Sequence, residues 1–291
     1  MKSAAFDYHR PSSADEAVQL LADLDGDAKV IAGGQSLVPM LALRLAYLDH
    51  LVDVGRIDEL RGIERRNGSL WVGAATTQAS VERNDELARS VPLLARVTPF
   101  IGHFQIRNRG TVGGSIAHAD PAAEYPAVAV ALDAEFDAVS TRGTRTIPAS
   151  SFFGGMLTTA LEPDELLAGI RFPVWTGRCG FAVQEFARRH GDFAIAGAVV
   201  GVELDDGGRV QRSAIGLIGL GSTPKRATTA EADLAGRQIS DVQPDDIGAQ
   251  AMAGLDDVPT DLHGSAAYRK RVGAAMVARA WADAVTEATG G

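Results

Sequence analysis

The most informative run of this 291-residue chain reads Gly110-Thr111-Val112-Gly113-Gly114-Ser115-Ile116-Ala117. Adjacent glycines leave no side chain between the backbone N–H groups and a bound anion. The hydroxyl groups of Thr111 and Ser115 can donate further hydrogen bonds. We therefore expect Gly113 and Gly114 to expose N–H groups to a phosphate, although one such loop, taken alone, could be a hairpin turn.

A second loop of the same kind lies upstream and reads Ala32-Gly33-Gly34-Gln35-Ser36. It stands between a predicted buried strand at 29–32 and a predicted helix at 37–48, whose N-terminus adds partial positive charge. A strand–Gly-Gly–helix turn is more often only a turn. Two hydroxyl-bearing loops in one chain favour a two-sided diphosphate cradle, while the residues alone leave two unrelated turns open.

The flanking sequence alternates helices and strands. Ser13 and Glu16 form a capping box that opens a helix, and a strand at 51–54 completes a βαβ-like opening. We predict a buried helix at 122–132, a final helix at 266–287 and two helices between 78 and 98. Further strands are predicted at 69–74, 136–140, 145–147, 165–173, 181–188, 193–204 and 213–220. The last three are spaced for hairpins, which indicates an antiparallel sheet.

Composition limits the possible functions. A net charge of −9 argues against nucleic acid as a partner, since phosphate binding needs a clustered basic face. The N-terminus has no apolar export core, and the longest apolar run, 193–202, is about half a membrane span. We therefore expect a soluble, cytoplasmic protein without a membrane span. Cys179 is the only cysteine, so this chain alone can ligate no iron–sulfur cluster, and its six scattered histidines predict no metal site.

Sharper motifs of other protein classes are absent. No G-x-G-x-x-G follows the first strand, so a standard Rossmann fold is not supported. No P-loop and no G-x-S-x-G nucleophile elbow occur. Cys179 could be an activated thiol, but a lone cysteine is more often inert.

A long continuous stretch carries a family resemblance. It reads Ile101-Gly102-His103-Phe104-Gln105-Ile106-Arg107-Asn108-Arg109-Gly110-Thr111-Val112-Gly113-Gly114-Ser115-Ile116-Ala117-His118-Ala119-Asp120-Pro121-Ala122-Ala123-Glu124. Together with Ala32 to Leu37 and Arg188-Arg189-His190-Gly191-Asp192-Phe193-Ala194, it resembles the FAD-binding medium subunits of the xanthine dehydrogenase and aerobic carbon monoxide dehydrogenase (molybdenum hydroxylase) group. The resemblance covers roughly residues 3–285.

The resemblance implies an α+β protein. Two α/β subdomains of the PCMH type, 1–55 and 56–175, would clasp FAD, and a C-terminal antiparallel sheet with helices would fill 176–291. The second boundary also coincides with a composition change near 174–180. No catalytic side chain is expected, because the cofactor performs the redox chemistry.

The resemblance also implies cofactor contacts. One side of the diphosphate would be wrapped by Val30, Ile31, Ala32, Gly33, Gly34, Gln35, Ser36 and Leu37, and the other by Thr111, Gly113, Gly114 and Ser115. Glu124, with Asp120 as a neighbouring candidate, would reach the adenosine half. Ile101, Leu166 and Phe193 would be apolar contacts, with Phe193 close to the isoalloxazine ring. For Leu166 and Phe193, the residue type alone favours core packing.

Three residues depart from the family pattern. Gln184 stands roughly where xanthine dehydrogenase-like members carry a lysine near the flavin, Ser115 replaces an asparagine, and Gln35 replaces a histidine of some carbon monoxide dehydrogenase-like members. These changes leave the identity of the electron acceptor open, but they do not alter the two glycine pairs.

The implied function is electron transfer within a complex. A large subunit with molybdopterin would oxidise the substrate, and a small subunit with two [2Fe–2S] clusters would pass electrons to this flavoprotein. The resemblance implies a dimer of heterotrimers for the whole complex. Covering of the flavin edge by the small subunit predicts exposed apolar surface on the isolated chain. A stand-alone FAD-dependent oxidoreductase and a flavin-free assembly module are the alternatives, and the substrate stays open.

Overall fold

A parallel sheet forms the N-terminal part of the computed structural model, which describes residues 2–290. Its strand order is β1–β3–β2. In chain order, the elements are β1 (Asp7–His9), α1 (Ala14–Asp23), β2 (Ala28–Ile31), α2 (Leu37–Ala42) and β3 (His50–Asp53). The predicted βαβ-like opening and the Ser13 cap of α1 are confirmed.

The helix predicted at 37–48 is wrong in length. It ends at Ala42, and Arg44 adopts a left-handed φ of 58° that no helix can continue through. The apolar side chains that suggested a longer helix, Leu43, Leu45 and Tyr47, are exposed on the following turn.

A five-stranded antiparallel sheet forms the middle of the chain, in the order β4–β5–β10–β6–β7. The strands of this region are β4 (Ile63–Arg66), β5 (Ser69–Gly73), β6 (Glu135–Ser140), β7 (Gly143–Pro148), the small pair β8 (Phe153–Gly155) and β9 (Thr158–Thr159), and β10 (Leu166–Pro173). Asn67 and Gly68, both with positive φ, make the tight turn between β4 and β5.

Seven helices accompany this sheet in the described residues. They are α3 (Gln78–Glu82), α4 (Asp85–Ser90), α5 (Pro92–Val97), α6 (Phe104–Arg107), α7 (Val112–His118), α8 (Glu124–Ala131) and α9 (Ala149–Phe152). Three short helices replace the two predicted between 78 and 98. All eight residues of α8 are buried, because the helix lies between the C-terminal sheet and the helices α5, α7 and α9.

The C-terminal part is a four-stranded antiparallel sheet in the order β11–β12–β13–β14, as the hairpin spacing predicted. Its elements are β11 (Arg178–Phe186), β12 (Ala196–Leu204), β13 (Val210–Ile218), β14 (Lys225–Arg226), α10 (Thr228–Leu234), α11 (Pro244–Ala253) and α12 (Ala266–Thr289). The strand predicted from residue 193 is wrong at its start: β12 begins at Ala196, and Phe193 lies on the preceding loop.

The hydrophobic cores cross the predicted domain limits. The largest core joins the middle sheet and α8 to one face of the C-terminal sheet through Val199, Ala214 and Ile218. A second core, with Trp281, lies between the other face of that sheet and α12. The smallest joins α1 and β3 to Leu166 of the middle region. The division at 55 and 175 stays a prediction.

Candidate cofactor site

The two glycine loops are in direct backbone contact. A Cβ atom on Gly33 would lie 2.7 Å from the Gly110 Cα, which no real side chain tolerates. Gly114 faces the same seam, since a Cβ there would lie 3.9 Å from the Ala32 Cβ. The fold therefore brings together two segments about 80 residues apart, and glycine at position 33 is what permits the approach.

The first loop offers unused backbone donors. Within the part of the chain that the structure describes, the N–H groups of Gly33, Gly34, Gln35 and Ser36 have no acceptor. Gly34 has a φ of +71°, and the Gln35 side chain folds back to donate from Nε2 to the Gly33 carbonyl at 3.0 Å. Successive free N–H groups in a turn of this kind form a concavity suited to an anion. The helix that follows, α2, has only six residues and adds little.

The second loop differs from the prediction. The Gly113 N–H donates to the Ala74 carbonyl at 2.9 Å, and the Gly114 N–H donates to Thr111 Oγ1 at 3.0 Å. The predicted exposure of these two N–H groups is wrong, because the Thr111 side chain, which caps α7, accepts from Gly114 and the Ala74 carbonyl, just after β5, accepts from Gly113. Gly113 instead allows α7 to start against Ala74, whose Cα would lie 2.7 Å from a Cβ at 113. The half-buried Ser115 hydroxyl keeps a free donor, since no partner for it exists among the described residues.

A buried arginine, paired with an exposed glutamate, holds the segment that carries Ile101. Arg107 pairs with Glu82 at 2.9 Å and also donates from Nη1 to the carbonyls of Ile101 and Gly102. Ile101 is half-buried beside this anchor. Sequence reasoning missed the role of Arg107, whose only signal was its place inside the 101–124 resemblance.

The β11–β12 loop reaches this segment from the C-terminal part. A Cβ on Gly191 would lie 2.8 Å from the His103 ring, and the rings of His103 and His190 are 6.0 Å apart. Phe193, on the same loop, is 69% exposed, and Phe104 is 64% exposed. Two large apolar side chains, one at the start of α6 and one on the β11–β12 loop, are therefore exposed to solvent on neighbouring segments.

The remaining apolar candidates are less accessible. Leu166 is buried in the core beside α1, opposite Val139 on the neighbouring strand. Val30, Ile31 and Leu37 are half-buried at the end of β2 and the start of α2. Contact of these side chains with a cofactor stays a prediction.

Three acidic residues lie beyond α7. Asp120 Oδ1 accepts the Ala122 N–H at 2.9 Å, and Glu124, 7% exposed, begins α8. Burial raises the pKa of the Glu124 carboxyl to about 7, with a smaller contribution from the Asp120 charge. Burial also lowers the pKa of His118 against the opposing effect of Asp120, so this imidazole is neutral at pH 7.

The third acidic residue, Glu185, was not predicted. Gln184 donates from Nε2 to Asp283 on α12 at 2.8 Å, so it lies on the face of β11 away from α8. The expectation that Gln184 stands near the flavin stays a prediction, while the next residue takes the opposite face because successive strand side chains alternate. Burial raises the pKa of Glu185 to about 8, with a contribution from the Glu124 charge.

Comparison with known proteins identifies the family. Residues 4–175 match the FAD binding domain in molybdopterin dehydrogenase, and residues 181–284 match the CO dehydrogenase flavoprotein C-terminal domain. The chain belongs to the FAD-binding medium subunits of the molybdenum hydroxylase family. It is thus an oxidoreductase subunit with FAD as its cofactor, and its α+β fold is that of the family.

Individual relatives are similar over nearly their whole length. Subunit alpha of the 6-hydroxypseudooxynicotine dehydrogenase complex of Paenarthrobacter nicotinovorans is 43% identical, covering 99% of this chain and 97% of its own. The carbon monoxide dehydrogenase medium chain of Hydrogenophaga pseudoflava is 38% identical, covering 94% and 95%. A solved chain of carbon monoxide dehydrogenase from H. pseudoflava superposes with a TM-score of 0.95 at 38% identity, covering 99% of each chain.

The residues present fit FAD. The free N–H groups of residues 33–36 suit the diphosphate, and any side chain at residue 33 would push the two loops apart. Cys179 offers no nucleophile, because burial raises the pKa of its thiol to about 11. Among the described residues, no helix combines the length and apolarity needed to cross a bilayer.

Proposed function

We propose that this chain is the electron-transfer subunit of a molybdenum hydroxylase complex. Bound FAD would take electrons from [2Fe–2S] clusters of a partner subunit and release them to an external acceptor. The observation that carries the proposal is the contact between the two glycine loops at Gly33 and Gly110, which would give the cofactor one continuous binding edge. The single cysteine supports a separate cluster-bearing partner.

The protein's own groups would bind and orient the cofactor. The N–H groups of Gly33 to Ser36 would hold the diphosphate from one side, and the Ser115 hydroxyl would contribute from the other. Arg107 keeps the Ile101 backbone in place beside the proposed cofactor cleft, the space that we assign between the residue 33–36 loop, α7 and the start of α8. None of these groups needs to exchange a proton with a substrate, so substrate oxidation would occur in the large subunit.

The exposed apolar side chains support a partner on this side of the molecule. Phe104 is the first residue of α6 and Phe193 lies on the β11–β12 loop, and these two segments touch through Gly191 and His103. Exposed aromatic side chains that cluster are typical of protein interfaces. We propose the iron–sulfur small subunit as the occupant, within a cytoplasmic complex that also contains the molybdopterin large subunit, arranged as a dimer of heterotrimers.

A glycine substitution tests the cofactor edge. Gly33→Ala places a methyl group against the backbone of residues 109–110, so the loops must separate and FAD retention should fall at least about tenfold, a loss of roughly 1.4 kcal/mol. Gly254→Ala is the matched control, because a Cβ there meets nothing within 4 Å. Absorbance of protein-bound flavin after desalting measures the effect. Equal flavin content in both variants would contradict the proposal.

Copurification tests the partner. A tag on this chain, expressed in its native host, should recover two further subunits together with iron and molybdenum. Phe104→Ser combined with Phe193→Ser should reduce the recovery of the small subunit, whereas Leu262→Ser, which changes a fully exposed leucine on another loop, should not. Recovery of a flavin-loaded chain without partners would favour the stand-alone oxidoreductase, and recovery of a flavin-free complex would favour the assembly module.

A further inference from the structure

Two carboxyl groups converge where α8 begins, at one end of the proposed cofactor cleft. Glu185 on β11 stands opposite Gly197 on β12, which pairs with Ile218 on β13. Directly opposed residues of an antiparallel sheet point to the same face, so these three positions share one surface. Because Gly197 has no side chain, the space beside Glu185 stays open. A Cβ atom on Gly197 would lie 3.3 Å from the Glu185 Cγ.

Helix α8 covers that same face. Gly216 is two residues before Ile218 on β13, and a Cβ at Gly216 would lie 2.5 Å from the Ala127 carbonyl oxygen of α8. Glu124 lies three residues before Ala127 and therefore nearly one helical turn along the same side. The register of the sheet and the seating of the helix thus direct Glu124 and Glu185 toward each other.

Neither carboxyl group has a cationic partner in residues 2–290. Glu185 Oε2 is buried without any hydrogen bond, and Glu124 accepts only from its own backbone N–H. The nearest additional charge is Asp120, which has the same sign. Gly197 and Ile218, which lie opposite Glu185 on β12 and β13, carry no charge, and the charges that act on His118 of α7 are those of Asp120 and Lys29 rather than of either glutamate.

Two neighbouring carboxylates cannot both remain ionised when they are desolvated and unpaired. Their mutual repulsion and the loss of hydration favour a state in which one proton is held by the pair. Elevated pKa values of about 7 for Glu124 and about 8 for Glu185 agree with this geometric expectation. A protonated carboxyl group can also donate a hydrogen bond, which a carboxylate cannot.

Given the FAD placement proposed above, we infer that Glu124 and Glu185 share a proton at neutral pH and that the protonated carboxyl group donates a hydrogen bond to an uncharged acceptor of FAD outside its diphosphate. A phosphate group would be repelled at this end of the cleft, whereas the free N–H groups of residues 33–36 attract it. The pair therefore determines which end of FAD lies beside Glu124 and Glu185 and which part lies at residues 33–36. Glu185 is thus a cofactor-positioning residue.

Stability of the FAD-free chain tests the shared proton by itself. The pKa of each group is higher in the folded chain than the value of 4.5 expected when unfolded, so its contribution to stability is complete below pH 4.5 and is lost as the pH rises to about 8. The thermal midpoint should fall from pH 5 to pH 9 in the wild type. Glu185→Gln and Glu124→Gln should each flatten this fall, and the exposed-site control Glu64→Gln should follow the wild type.

FAD titration across the same pH range tests the hydrogen bond. The wild-type Kd, measured by quenching of flavin fluorescence, should rise by up to about tenfold per pH unit above the upper pKa, because the deprotonated pair loses its donor. Glu185→Gln keeps an N–H donor and should show a much flatter profile. Glu185→Met keeps the volume without a donor and should weaken binding about tenfold at pH 6.

The outcomes separate this inference from the proposed function. Parallel pH profiles for wild type, Glu185→Gln and Glu64→Gln in both measurements would overturn the shared proton. Unchanged FAD affinity in Glu185→Met would overturn the donor role. If Gly33→Ala retained FAD while Glu185→Gln flattened both profiles, the diphosphate placement would fail and the carboxyl pair would stand.

Discussion

At the residue scale, several side chains act by controlling where the backbone can lie. Gly33 permits the contact between the two cofactor loops, and Gly113 permits α7 to start against Ala74. Arg107 fixes the neighbouring carbonyls of Ile101 and Gly102. The cleft is therefore shaped mainly by backbone groups, which suits a cofactor that performs the redox chemistry itself.

Removal of Arg107 should be costly. Arg107→Leu frees the carbonyl groups of Ile101 and Gly102 and removes the partner of Glu82, whose exposed carboxylate water can solvate, so we expect a loss of roughly 2 kcal/mol in the free energy of unfolding. Arg89→Leu, which breaks the exposed pair with Glu86, should cost less than about 1 kcal/mol. Urea denaturation of both variants measures the difference, and equal losses would refute the anchoring role.

At the element scale, α8 links the cofactor site to the C-terminal sheet. Its first residue, Glu124, lies at one end of the proposed cofactor cleft, and its middle packs on Gly216 of β13. The apolar run at 122–132 allowed the sequence to predict this helix, because a segment without a polar face must be buried on all sides. The packing partner could not be predicted, since it depends on contacts with a strand almost 90 residues away.

Substitution at this contact tests its tightness. Gly216→Ala forces a methyl group against Ala127 and Val199, and we expect it to destabilise the chain by about 1–3 kcal/mol through overpacking. Gly154→Ala, where a Cβ would make an ordinary 3.7 Å contact with Thr158, should be close to neutral. Chemical denaturation distinguishes the two, and a neutral Gly216→Ala would show that α8 can shift freely.

Strand register explains which site residues the sequence could and could not indicate. The glycine loops were recognisable because their local sequence specifies their conformation, and the structure shows the contact that a two-sided cradle requires. The cradle itself stays a prediction. The face that Gln184 and Glu185 each occupy could not be predicted, because a change of one residue in a strand reverses the face that a side chain occupies. Likewise, the donors at Gly113 and Gly114 are consumed by Ala74 and Thr111, which only the tertiary structure reveals.

At the scale of the whole molecule, shared cores couple the three sheets. Leu166 joins the N-terminal core to the middle region, and Val199 joins the middle region to the C-terminal sheet. Arg96 of α5 adds a bidentate ion pair with Glu287 at the end of α12, with both contacts at 2.6 Å. Separating any one region would expose apolar surface that its neighbour now covers, so the chain should unfold as a unit.

Two tryptophans at distant sites can test this cooperativity. Trp71 lies in β5 of the middle sheet, and Trp281 lies in α12 behind the C-terminal sheet; both are buried. One variant combines Trp175→Phe with Trp281→Phe, and the other combines Trp71→Phe with Trp175→Phe, so that a single reporter remains in each. In each variant, the urea midpoint from tryptophan fluorescence should coincide with the midpoint from far-ultraviolet circular dichroism, because the core around Val199 unfolds together with both regions. A fluorescence midpoint at lower urea than the dichroism midpoint in either variant would mean that the region holding that tryptophan opens first, and the shared core would then be too weak to couple the sheets.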